Sequence, residues 1–174
     1  NCPNDIVVNN TPDMCSANAH WPIPFFSDNC TGFTYTSNAA PGDLFPAGVN
    51  PVTYTVTDAS GNTQTCTFTV TVLDVEPPVI LNCPTNITAI NDSQYCDAIV
   101  PWVAPTATDT CGVVSFTCSH PVNSVFPLGS TTVTYTAMDA AGNITSASFE
   151  VTVNDAEYPV ISDCPPDIIV NNDS

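Results

Sequence analysis

The sequence predicts an all-β chain of tandem, disulfide-stapled β-sandwich modules with an immunoglobulin- or fibronectin-III-like layout. Three observations predict it. The first is a gapless internal repeat. Cys2-Pro3 recurs at Cys83-Pro84 and again at Cys164-Pro165, each time 81 positions on. The same offset carries Cys15 to Cys96, Trp21 to Trp102, Cys30 to Cys111 and Gly61-Asn62 to Gly142-Asn143. A repeat without insertion or deletion marks one folding unit per copy. The second is period-two alternation of Thr with apolar residues, as in Thr65-Cys66-Thr67-Phe68-Thr69-Val70-Thr71-Val72, which suits a pleated, half-buried surface. The third is the absence of a helical stripe from a chain with 17 prolines and closely spaced turn signals.

The repeat divides the chain into modules over 1–81 and 82–162, with 163–174 as the first strand of a third. Within a copy, strands are expected near Ile6 to Val8, from Cys15 to about Pro22, near Gly32 to Thr36, over Pro51 to Thr57 and over Thr63 to Leu73. Turns separate them at Asn9 to Pro12, Ala40-Pro41-Gly42, Pro46-Ala47-Gly48 and Ala59-Ser60-Gly61-Asn62. Phe45-Pro46-x-Gly48 reads as a corner leading into the next strand, which would let Tyr54 and Tyr135 act as tyrosine corners. Trp21 and Trp102 are expected in the cores.

Composition narrows function. The chain carries 17 Asp and Glu, no Lys or Arg, and a formal charge of −17. Nucleic acid is excluded as a partner because phosphate contacts need cationic side chains. Anionic membrane surfaces are excluded on the same ground, and no apolar run is long enough to insert in a membrane. Selection against trypsin-type cleavage sites and a neutralising cation such as calcium are among the explanations open for the missing cations. Nine cysteines without C-x-x-C spacing point to an oxidising, extracellular compartment rather than a zinc site.

The ordered motifs resemble the hyalin repeat (HYR) family. They are Cys-Pro-x-x-Ile, a Cys before an Ala-rich strand ending in Trp, Asp-x-Cys, Phe-Pro-x-Gly, Val-Thr-Tyr-Thr-x-x-Asp-Ala-x-Gly-Asn, Phe-x-Val-Thr-Val and Asp-x-Glu-x-Pro-x-Ile. The resemblance implies an immunoglobulin-like fold, a place in cell-surface or matrix proteins, and no catalytic residues. One departure stands out. The second copy has Ala147 where the first has Cys66, and gains Cys118.

That departure leaves two disulfide schemes open among Cys2, Cys15, Cys30, Cys66, Cys83, Cys96, Cys111 and Cys118. One joins Cys30 to Cys66, Cys111 to Cys118, Cys2 to Cys15 and Cys83 to Cys96, leaving Cys164 to pair beyond this chain. The other links copies through Cys15–Cys83 and Cys96–Cys164. In either, loop closure stabilises a module with a thin core.

The expected sites are non-catalytic. The linker Asp74-Val75-Glu76-Pro77-Pro78, stiffened by proline, leads toward turns carrying Asp109 and Asp139. Asp74, Glu76, Asp109 and Asp139 would supply oxygen ligands for calcium; the competing reading is ordinary solvated turn residues. Sequons head at Asn9, Asn91 and Asn172 after the first strand of successive copies, and at Asn29, Asn86 and Asn143. His20 and His120 do not recur at equivalent positions, so no triad is expected. The function expected is a structural or adhesive segment of an extracellular surface protein or filament shaft, with neighbouring copies of the repeat as partners. The chain's ends read as an excerpt from a longer periodic protein. The alternative is a module of a secreted protein that binds glycans or proteins through Phe25, Phe26 and Tyr35.

Overall fold

The computed structural model describes residues 2–163 and 165–169 of the chain. The strands of the first copy are β1 (Ile6–Asn9), β2 (Ser16–Asn18), β3 (Phe33–Ser37), β4 (Leu44–Pro46), β5 (Gly48–Asp58) and β6 (Thr63–Leu73). Those of the second are β7 (Val79–Leu81), β8 (Ile87–Ile90), β9 (Asp97–Ile99), β10 (Thr106–Thr108), β11 (Val113–Cys118), β12 (Val125–Pro127), β13 (Gly129–Asp139) and β14 (Ile144–Asn154). The described residues contain no helix.

Each copy builds one four-stranded sheet and a smaller facing sheet. The large sheets run β1-β6-β5-β3 and β8-β14-β13-β11. The long hairpins β5–β6 and β13–β14 are antiparallel, whereas β1 and β8 lie parallel to β6 and β14. The small sheets are the pairs β2–β4 and β9–β12. The second copy adds β7–β10, so Val79–Leu81, which a cut after residue 81 would leave with the first copy, hydrogen-bonds within the second.

Alternation places the cores. In β6 the even positions Phe68, Val70 and Val72 are buried between threonines, and they join Ala17, Ala19, Trp21, Phe45, Val52 and Tyr54. The second core repeats the first 81 positions later with Ala98, Val100, Phe126, Val133, Tyr135, Phe149, Val151 and Val153, and Trp102 packs against it. There are thus two separate cores, one per copy. Trp21 meets Phe68 edge-on at 5.3 Å, and its indole N–H donates to the Tyr54 hydroxyl at 2.9 Å. Trp102 repeats this on Phe149 at 5.5 Å and on Tyr135 at 2.8 Å. Each tyrosine hydroxyl accepts a tryptophan N–H, and among the described residues neither bonds back to the backbone as a tyrosine corner does.

Two strand expectations change. The strand expected from Cys15 to Pro22 forms a ladder over Ser16–Asn18 alone, since Pro22 and Pro24 have no N–H to give a sheet. Phe45-Pro46, expected as a corner, is part of a strand: Phe45 pairs with Ala17 and is buried. Gly48 follows with φ 106°, a left-handed value that lets the chain turn from the small sheet into the large one.

The disulfides are Cys2–Cys66 and Cys15–Cys111, with Cα separations of 5.5 and 4.8 Å. Neither expected scheme contains these pairs. The first follows from the parallel ladder. Ile6 sits opposite Val70, so Cys2 and Cys66, four residues before each, arrive side by side. The second crosses between the copies. Cys30, Cys83, Cys96 and Cys118 carry free thiols, and Cys164 lies outside the described residues. Of the first strand expected over 163–174, residues 163 and 165–169 are described and form no strand, and the others lie outside the described residues.

Candidate functional site

The joint between the copies concentrates the chemistry. It begins where β6 ends. Asn10, 6% exposed, accepts the Val75 N–H at 3.1 Å and donates its amide to Met14 O at 3.0 Å and Glu76 Oε2 at 3.1 Å. Glu76 closes the loop: both its carboxylate oxygens accept the Asp13 N–H at 3.1 Å. That N–H belongs to a residue with φ 61°, which leaves it pointing outward for a carboxylate to take. The linker is thereby tied to the first copy. The second copy repeats the device, with Asn91 accepting the Ala156 N–H at 3.0 Å and Glu157 accepting the Gln94 N–H at 3.0 Å.

The other side of the linker is held by the second copy. The Asn143 amide donates to Asp74 O at 3.1 Å, to Glu76 O at 3.3 Å and to Asp139 Oδ2 at 2.8 Å. Asp139 also accepts the Asn143 N–H at 2.9 Å. In the first copy Asn62 and Asp58 make the matching contacts. Docking of the linker on this turn leaves Asp139 1% exposed, Pro78 is buried in the same joint, and the Cys15–Cys111 disulfide staples it.

The four expected cation ligands do not all converge. Glu76 turns back to the first copy, because Asn10 and the Asp13 N–H need its charge. Asp74 and Asp109 do meet: a carboxylate oxygen of each lies within 4.8 Å of the other and of the Cys111 sulfur. That sulfur is spent in the disulfide and offers no thiolate. Asp109 Oδ1 accepts the Cys111 and Gly112 N–H groups at 2.7 and 3.0 Å. Asp74 Oδ1 accepts the Glu76 N–H at 3.2 Å, while its Oδ2 is buried with no donor.

Electrostatics mark the same place. Burial pushes the Asp74 carboxyl above its ordinary range. The Glu76 N–H pulls it back, and the charges of Asp109, Asp139 and Glu76 add to the rise. For Asp139, burial works upward too, but the Asn143 side chain and the turn N–H groups outweigh it and hold the carboxyl below the usual value. No lysine or arginine exists in the chain to neutralise this joint.

Two of the sequons sit on structural asparagines. Asn91 is 7% exposed and its amide nitrogen donates to Tyr95 O at 2.8 Å. It is the counterpart of Asn10, not of Asn9. The Asn143 nitrogen has the three acceptors given above. An N-glycan bonds to that nitrogen and takes one of its hydrogens. The three acceptors of Asn143 spare none, and at Asn91, whose amide makes one such bond, burial leaves no room for the sugar. Asn9, Asn29 and Asn86 are exposed, and Asn172 lies outside the described residues. Mass spectrometry of the native protein is expected to find Asn91 and Asn143 bare; a glycan at Asn91 would show that the turn opens.

The expected aromatic platform is divided. Phe26 stacks on Tyr35 at 4.9 Å and reaches Tyr54 at 6.0 Å, so both serve packing. Phe25 is 85% exposed beside a groove of about 710 Å³ that Trp21 and His20 help to line. In the second copy the matching stretch, Thr106–Thr108, pairs with β7. The Ser119 hydroxyl lies 3.0 Å from His120 Nδ1, but it also accepts the Thr134 N–H, and no carboxylate bonds that ring among the described residues.

Comparison with known proteins agrees with the repeat. A family model described as the HYR domain matches residues 1–72 and 73–153. Hyalin of Strongylocentrotus purpuratus is 42% identical over 142 residues, covering 77% of this chain and 12% of that protein. Hyalin of Lytechinus variegatus is 39% identical over 158 residues, covering 87% and 30%. The sushi, von Willebrand factor type A, EGF and pentraxin domain-containing protein 1 of Rattus norvegicus is 36% identical over 159 residues, covering 87% and 4%. The chain thus spans less than a third of the length of these curated relatives.

Proposed function

The chain belongs to the HYR domain family, and from that membership and the geometry of its joint we propose that it is a structural and adhesive segment of an extracellular surface protein or filament shaft. It acts through neighbouring modules rather than through catalysis. Cystines inside and between copies suit an oxidising, extracellular setting.

The observation that carries the reading is the bracing of one short linker from both ends. Asn10 and Glu76 fasten it to the module it leaves; Asn143 and the Cys15–Cys111 bond fasten it to the module it enters. Default domain pairs move relative to each other unless their contact is firm. A joint held by hydrogen bonds and a covalent staple passes orientation from one module to the next, as a shaft requires. Electron microscopy of the native material tests this. Straight, periodic rods are expected, and compact particles or chains bent at random through residues 76–78 would overturn it.

Calcium fits this joint. A hard cation takes carboxylate and carbonyl oxygens, and Asp74 offers a buried oxygen without a donor beside Asp109. These two residues would hold the ion, with the Asp139 charge close by. An ion there would replace the missing internal cation and offset the cost of burying Asp74. Adding millimolar calcium to chelated protein is expected to raise the melting temperature by several degrees, and Asp74→Asn is expected to abolish that response.

The pH dependence of the chelated protein follows in sign. A carboxyl whose pKa is raised by folding leaves the fold most stable below its ordinary pKa, and it weakens the fold as pH rises through the raised value. Asp74 behaves so. Asp139, held low, contributes in the opposite sense, with stability present above its ordinary pKa and lost as pH falls through the lowered one. Asp74→Asn should therefore flatten the loss of stability at the upper end of the acid range. An unchanged profile, with melting indifferent to calcium, counts against the site.

A further inference from the structure

We propose that Cys30 and Cys96 are the open halves of the bond that joins Cys15 to Cys111, each pairing with a further HYR module. Cys96 takes the loop cysteine of a following module, and Cys30 takes the turn cysteine of a preceding one. The proposal rests on the reading of the chain as an array segment and gives that array a covalent seam.

The repeat supplies the first argument. Cys15 and Cys96 are the same position in successive copies, and so are Cys30 and Cys111. The staple that forms spans 96 residues, from the turn of one copy to the loop of the next. Within this chain, 96 positions beyond Cys96 or before Cys30 there is no residue to pair with. Both thiols are free and exposed.

Local geometry supplies the second. Ala47 N–H donates to Cys15 O at 3.1 Å, and Leu128 N–H donates to Cys96 O at 3.3 Å, so both turn cysteines are presented from the same frame. Cys111 N–H donates to Asp109 Oδ1 at 2.7 Å and Cys30 N–H to Asp28 Oδ1 at 3.3 Å, so both loop cysteines are as well. The linker lock also repeats, with Asn91 and Glu157 holding the second copy's exit as Asn10 and Glu76 hold the first.

A third observation points to the occupant. Past that exit, Val160 and Ile161 are 89% and 87% exposed. Their counterparts, Val79 and Ile80, form β7 in the second copy, where Ile80 packs against the core. Val79 stays 56% exposed there, so Ile161 is the side chain that a following HYR module would cover, in the place that Ile80 takes in the second copy.

The bond forms by exchange with a small-molecule disulfide such as oxidised glutathione. One cysteine thiolate attacks it, releasing one glutathione thiolate and leaving a mixed disulfide. The neighbouring module's thiolate then attacks the protein sulfur and releases the second. Two protein thiols are oxidised, and one glutathione disulfide is reduced to two thiols.

The 174-residue chain, with Cys164→Ser, tests this in a glutathione redox buffer. Head-to-tail coupling of Cys96 to Cys30 should give a ladder in steps of one chain, collapsing on reduction. Cys30→Ser and Cys96→Ser should each stay monomeric, and their mixture should yield the heterodimer and nothing longer. A Cys164→Ser chain that stays monomeric with both thiols open to iodoacetamide, together with native peptide maps in which Cys30 and Cys96 are unpaired, would overturn the proposal. So would self-dimers of Cys30→Ser alone. Non-reducing Asp-N peptide maps of the native protein separate the two sources of the neighbour. A Cys96 peptide bonded to a Cys30 peptide means a second copy, and one bonded to a loop peptide foreign to this sequence means a longer chain; either supports the seam. Native rods by microscopy whose maps show Cys30 and Cys96 as free thiols would sink the seam and leave the array reading standing.

Discussion

Replacing Cys66 with serine is expected to lower the unfolding free energy of the first copy by about 4 kcal/mol. The bond closes a loop between residues 64 apart, and opening a loop of that size returns roughly this much entropy to the unfolded chain. For a domain of this size the loss corresponds to a fall of roughly 15–30 °C in melting temperature. The bond also holds β1 against β6. That parallel ladder joins the first strand of the module to its last, and its two edges are otherwise held by backbone hydrogen bonds and Ile6 and Val8. Differential scanning calorimetry should show the first copy's transition moving while the second's stays, since the second has Ala147 at this position. A shift below about 1 kcal/mol would mean that the strands hold without the staple.

Trp21→Ala is expected to cost the first copy about 3–5 kcal/mol. The ring is 6% exposed and touches Phe45 and Phe68, so its loss leaves a cavity that two rigid rings cannot fill. The Tyr54 hydroxyl also loses the indole N–H that meets it at 2.9 Å in the buried core, which adds the cost of a polar group without its partner. Trp21→Phe separates the two contributions. It keeps part of the packing and removes the N–H, and should cost less than half as much. Chemical denaturation followed by tyrosine fluorescence reads both variants. Equal losses for the two would place the stabilisation in the hydrogen bond rather than in the ring.

Much of the fold was legible. The 81-residue offset marks equivalent positions, and the Thr-Val alternation marks which side chains turn inward; β6 runs over Thr63–Leu73 as its pattern demands. The short strand Leu44–Pro46 escaped, because three residues ending in proline carry too little alternation to be seen. The site was half legible. Asp74 and Asp109 lie together at the joint toward which the linker leads, but Glu76 was not separable from them. Its partners, Asn10 and the Asp13 N–H, lie more than sixty residues away. Asn91 reads as a sequon like any other until its burial is known.

What the sequence determined by itself is therefore local and periodic: the module, its strands, its inward faces and its acidic joint. These follow from side-chain character repeated at short spacing, which each segment expresses wherever it is placed. The cysteine pairing, the direction of Glu76 and the burial of Asn91 and Asp139 were decided by tertiary structure. They depend on β1 running parallel to β6 and on one copy docking against the turn of the next. Contacts between residues 64 and 96 positions apart leave no trace in the spacing of either partner.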